Sequence, residues 1–151
     1  MSYDKSIDVL NTPIEINNDR IEGYETASKE TNDSDLKTLF YKFSQTSQNC
    51  KSELVNEIKK LNGTPIEVTR TTGKLFRAWM DIKTAITNKG RKAILNSCEY
   101  GEDVAVEIYT KAFKDNIENI STEQHVMLKS QFRMIEADHD KLKEMRELSL
   151  N

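Results

Sequence analysis

The chain has 151 residues, 22 basic against 25 acidic side chains for a net charge of −3, and only five Gly and two Pro. That length fits one domain, taken as residues 1–151, and so few turn-forming residues exclude an ordinary β-protein. The charge balance neither advertises nucleic acid nor suggests an acidic tail, which leaves an all-α domain as the expectation.

At the N-terminus, Asp4 and Asp8 interrupt any apolar leader, and no stretch approaches the roughly 18 apolar residues of a membrane span. The first helix reads from Thr12-Pro13-Ile14-Glu15. Thr12 would be its N-cap, Pro13 its first helical residue, and Glu15 the partner completing a capping box. A kinked turn from near Ser6 is the other reading. Ile14, Asn17, Ile21, Tyr24 and Ser28 then share one face. After an Asn32-Asp33-Ser34 turn, a second helix over Asp35 to Leu61 carries Leu36, Phe40, Phe43, Ser47, Cys50, Leu54, Ile58 and Leu61 inward. Asn62-Gly63 and Pro65 end it.

The segment from about 62 to 90 is too long for a simple turn. It reads as a crossover with a short helix between Leu75 and Asn88, in which Leu75, Trp79, Ile82 and Ile86 face the bundle. The third helix, Arg91 to Asp115, presents Ile94, Cys98, Gly101/Glu102, Ala105, Tyr109 and Ala112. The fourth opens on a capping box from Ser121 to Gln124 and runs to about Leu148. Its inner stripe reads His125, Leu128, Phe132, Ile135, His139, Leu142 and Met145. Two antiparallel pairs joined by one long crossover is the ferritin-like four-helix-bundle connectivity. An internal repeat fits it: Ile21, Glu22, Tyr24 and Ala27 match Val106, Glu107, Tyr109 and Ala112 at an offset of 85.

Chemistry concentrates on Glu136-Ala-Asp-His139, a carboxylate and an imidazole one turn apart that can approach one ion. With Glu102 from the third helix they form a candidate metal trio, half of a ferritin-like carboxylate site. The other half is degenerate, because the repeat sets Asn17 against Glu102, and Gln48 and Lys51 against Glu136 and His139. Asn is a poor ligand and Lys repels metal. The favoured reading is therefore a non-catalytic bundle with an ion-paired polar core, in which Lys51 neutralises Glu102 or Glu136. The alternative is a single Fe, Mn or Zn ion held by Glu102, Glu136 and His139, linked to metal or oxidative stress. No catalytic residue and no organic cofactor is expected; phosphate loops and nucleophile elbows are not found in the sequence. Tyr24 and Tyr109 read as core aromatics whose hydroxyls seek a carboxylate or backbone partner.

Cys50 and Cys98 are too few and too far apart for a disulfide framework or structural zinc, so both read as reduced core thiols in a cytoplasmic protein. Phe76, Met80, Val104, Ile108 and Met127 fall off the inner stripes, which suggests a homodimer. Nucleic acid and membrane are not expected partners. Finally, Ile14–Tyr24 (IEINNDRIEGY), Gly73–Asp81 (GKLFRAWMD) and Arg91–Asp103 (RKAILNSCEYGED) resemble a bacterial family of ferritin-like four-helix-bundle proteins of unknown function. The resemblance spans roughly residues 7 to 146. It implies the ferritin-like fold and a cytoplasmic bacterial protein, and no activity.

Overall fold

The structure is a computed structural model and describes residues 3–67, 80, 82–84 and 90–148. Four long helices dominate it: α1 (Asp4–Glu30), α2 (Ser34–Lys60), α3 (Arg91–Lys114) and α4 (Thr122–Leu148), with a 3-10 turn at Ile117–Asn119. Among the described residues no strand occurs.

Helix α1 starts eight residues before the Thr12 cap and two before the alternative start near Ser6, and it continues unbroken through Pro13. Thr12 does not cap; its hydroxyl turns back to the Asp8 carbonyl at 3.4 Å. A proline inside a helix costs about 3 kcal/mol. Here the turn before it buries Val9 and Leu10 on the same face as Ile14 and Asn17, and that burial offsets the loss. At the C-terminus of α2 the sequence signals hold. The Gly63 amide donates to the Ile58 carbonyl and the Asn62 amide to that of Lys59, both at 3.0 Å, with Asn62 at φ 61°. That is a Schellman closure with Asn in the left-handed position. Gly63 is needed for a different reason, since a Cβ there would lie 2.7 Å from Ile7 Cδ1 and 3.0 Å from Ile58 Cγ2. The Ser121–Gln124 box is present in both directions, at 2.9 and 3.1 Å.

Cross-helix contacts give the directions. Gln48 bonds Glu25 and Ser28 bonds the Lys37 carbonyl, so α1 and α2 are antiparallel. The pairs Asn17–Tyr109 and Tyr24–Glu102 do the same for α1 and α3. Gln131 with the Cys50 carbonyl, and Gln124 with Glu57, set α2 against α4. Helices α2 and α3 therefore run parallel, and Arg91 forks onto Asp35 at 2.9 and 2.5 Å to join their N-termini. Leu61 and Gly90 consequently sit at opposite ends of the bundle, about 40 Å apart along α2 at 1.5 Å per residue.

The internal repeat is physical. Val9, Leu10, Pro13, Asn17, Arg20, Tyr24 and Ala27 are buried, and so are their counterparts at an offset of 85, from Ile94 to Ala112. Adding 88 to the bounds of α2 gives those of α4, and Leu36, Phe40, Phe43, Ser47 and Leu54 map onto all five buried residues of α4. The two hairpins thus enclose two apolar clusters. One is built around Leu10, Ile14, Leu54, Ile58, Tyr109 and Leu128, the other around Tyr24, Phe40, Phe43, Leu95 and Leu142. Between them lies a polar layer.

Of the crossover, Ile82 is buried in the second cluster and residues 82–84 are helical; Leu75, Trp79 and Ile86 lie outside the described residues. Among the apolar residues set aside for a dimer, Val104 is buried and Ile108 and Met127 pack against the first cluster. Helices with neighbours on two sides bury a band wider than one stripe. Met80 remains exposed, and Phe76 lies outside the described residues.

Candidate functional site

The polar layer centres on Arg20, whose side chain is 3% exposed. Its Nε and Nη2 both approach Glu102 Oε1, at 3.0 and 2.9 Å. Nη2 also donates to Asp138 Oδ2 at 2.8 Å and Nη1 to Ser47 Oγ at 2.5 Å. Tyr24 donates its hydroxyl to the same Glu102 oxygen at 2.5 Å, while the guanidinium sits 5.4 Å from the Tyr24 ring centre. Glu102 Oε2, by contrast, is buried without a hydrogen-bond partner. A fork that normally spans both carboxylate oxygens here converges on one.

One turn along, the repeat supplies a neutral version of this arrangement. Asn17 Nδ2 donates to Tyr109 Oη at 2.7 Å, and Tyr109 donates onward to Gln131 Oε1 at 2.8 Å. Gln131 reaches the Cys50 carbonyl and Glu53. The pairs Asn17–Tyr109 and Glu102–Tyr24 are equivalent under the repeat. The counterpart of Arg20 is Ala105 and that of Asp138 is Cys50, so the buried charge sits in one half.

Burial sets the protonation of these groups. Although burial alone would lower it, Arg20 is held above its ordinary value by Glu102, Tyr24 and Asp138. Burial, then Glu102, pushes the Tyr24 phenol up; burial, then Cys50, does so for Tyr109. The Cys50 thiol is pushed up to about 12 and that of Cys98 higher still, mainly by burial. Neither thiolate nor phenolate forms at neutral pH. Asp138 is raised to about 6 by burial, against the pull of Arg20.

The sequence-derived trio is not brought together. Glu102 points inward as expected, but Glu136 is exposed. His139 turns to the α3 surface, its Nε2 2.6 Å from Asp103 Oδ1 and its Nδ1 3.2 Å from Asp140 Oδ1. These two carboxylates hold its imidazole above its ordinary value despite the opposing effect of burial. Among the described residues no three His, Cys, Asp or Glu side chains are grouped to hold a metal ion. The inner face of α4 passes through Gln131 and Asp138, one residue before the expected Phe132 and His139. Leu128, Ile135 and Leu142 fit either rotation, and Tyr109 and Arg20 decide it by giving Gln131 and Asp138 partners. His125, on the stripe expected to face inward, is half-buried and stands edge-on to Phe113 with centroids 5.8 Å apart.

The cation also differs from expectation. Lys51 is only half-buried, Gln48 pairs with Glu25, and the positive charge comes from Arg20. The sequence held a signal for it: Arg20 lies three residues after Asn17 and four before Tyr24, both inner-face positions. Tyr24 places its hydroxyl on a carboxylate as expected, whereas Tyr109 finds the side-chain amides of Asn17 and Gln131 in place of a carboxylate or backbone partner.

A family model, Domain of unknown function (DUF2383), matches residues 5–115, from the start of α1 through α3. No curated protein matches the chain.

Proposed function

Because the chain belongs to the DUF2383 family, a domain of unknown function, its role is argued from its core, and we propose a ferritin-like, non-catalytic interaction protein. In this reading a guanidinium stands where carboxylate bundles of that class hold metal. The observation that carries it is Arg20, buried between Glu102 and Asp138. Parallel α2 and α3 with a long connection support the ferritin-like topology, and two buried thiols suit a reducing, cytoplasmic setting.

The donor set does not fit a dinuclear centre. Asn17 replaces a carboxylate, Cys50 occupies the position equivalent to Asp138, and a permanent cation fills the middle. A single Fe, Mn or Zn ion at Glu102, Glu136 and His139 is the second reading, favoured only by the free Oε2 of Glu102. It requires His139 to leave Asp103 and Glu136 to turn inward. Thermal melts with and without Fe²⁺, Mn²⁺ or Zn²⁺ separate the two by linkage. The ion-paired core predicts no metal-dependent rise in Tm; a rise that His139→Ala abolishes would establish the metal reading.

A further inference from the structure

The outward face of α4 is a long surface that the core leaves unexplained. Glu123, Val126, Ser130, Met134, Ala137 and Lys141 recur at helical spacing along it, and all six are exposed. Val126 is 61% and Met134 37% accessible. With His125, Lys129 and Arg133, the four central residues line a shallow groove of about 550 Å³. Glu123 and Lys141 make no ion pair among the described residues.

Reading these six positions from either end gives complementary partners about a midpoint near residue 132. Glu123 lies as far before it as Lys141 lies after it. Val126 and Ala137 are equidistant to within one residue, about 1.5 Å of helix rise, and so are Ser130 and Met134. A two-fold axis perpendicular to α4 at that level sets acid opposite base at both ends. It also sets a large side chain opposite a small one at each of the four central levels. An isologous interface requires this self-complementarity.

We propose that this face of α4 docks antiparallel onto α4 of a second copy of the chain, with Glu123 of each copy beside Lys141 of the other. The contact is small and apolar at its centre and charged at its ends. Arg133 lies one residue from the axis on the rim, where the two copies oppose each other with like charge. That repulsion keeps the association modest and gives the interface a distinctive response: removing Arg133 tightens it. The proposal deepens the interaction reading by naming the partner and the surface.

Sedimentation velocity on the intact chain across roughly 1 to 100 µM tests it. Wild type is expected to dimerise, and Val126→Glu/Met134→Glu to remain monomeric with an unchanged helical CD spectrum, since both sites are solvent-facing. Glu123→Lys should weaken the dimer about tenfold, Glu123→Lys/Lys141→Glu should restore it, and Arg133→Ala should strengthen it. A wild-type chain that stays monomeric throughout overturns the second copy as partner. A dimer indifferent to the α4 substitutions, or a charge swap that fails to restore it, overturns this face alone. Neither outcome bears on the Arg20 core, which the metal melts test separately.

Discussion

Replacing Arg20 by Met removes the one cation buried among the described residues and leaves its surroundings in place. Glu102, 1% exposed, and Asp138, 16% exposed, would then face each other with no positive charge, and Ser47 would lose its donor. Breaking a buried ion pair from one side typically costs roughly 3–5 kcal/mol, because the stranded charge keeps its desolvation penalty. For a chain of this length each kcal/mol moves Tm by about 2–4 °C, so a fall of roughly 6–20 °C is expected. The cost should shrink at acid pH, where the abandoned carboxylates can protonate. Arg20→Met/Glu102→Gln/Asp138→Asn removes all three charges together and should recover most of the loss, since neutral replacements of buried ion networks are often tolerated. Urea and thermal unfolding of the single and triple variants at pH 5 and pH 7.5 provide the assay. A single variant within about 1 kcal/mol of wild type, or a triple variant as weak as the single, would refute the ion-paired core.

Asp19 is raised to about 7 by burial and by Glu22 and Glu15. Its folded value exceeds the ordinary carboxylate value, so its stabilising contribution is complete below about pH 4 and lost as pH rises through 7. Asp19→Asn should therefore match wild type in acid and exceed it in Tm at pH 8; a variant less stable at pH 8 would contradict the sign. Gly63→Ala forces Ile7 and Ile58 apart and should cost about 1–3 kcal/mol in equilibrium unfolding, whereas an unchanged midpoint would mean the two helix ends part freely. Ser121→Ala removes the α4 cap and should cost about 1 kcal/mol by the same measurement; no loss would show that Gln124 alone holds the end.

Helix number, boundaries and the paired hairpins were legible because capping boxes, the Asn62-Gly63 stop and apolar periodicity are local signals. The start of α1 was legible only as the second reading, from near Ser6, since Pro13 after Thr12 favours a later start and the burial of Val9 and Leu10 reverses it. Glu102 was found from its place between Cys98 and Ala105. His139 was misplaced because Leu128, Ile135 and Leu142 leave the rotation of α4 undecided by one residue. Periodicity favours the apolar Phe132 over Gln131. The decision belongs to hydrogen bonds from Tyr109 and Arg20, on other helices. Lys51 and Arg20 were equally available as cations, and only the meeting of Arg20 with Glu102 and Asp138 across the bundle selects the second.

The polar layer also bears on the order in which the chain assembles. Contacts inside each hairpin close loops of 9 to 55 residues, as in Ser28–Lys37 and Asn11–Ile66. Those joining the hairpins through Tyr24, Arg20 and Asn17 span 78 to 118. Loop closure makes the short spans the cheaper to form first. The hairpins should zip independently and the Arg20 network form as they dock, late on the path. Interactions absent from the transition state act on the unfolding rate alone. Arg20→Met should accordingly leave refolding speed nearly untouched while unfolding accelerates by a factor carrying almost all of its equilibrium loss. The guanidinium then acts as a latch that sets how long the native bundle persists.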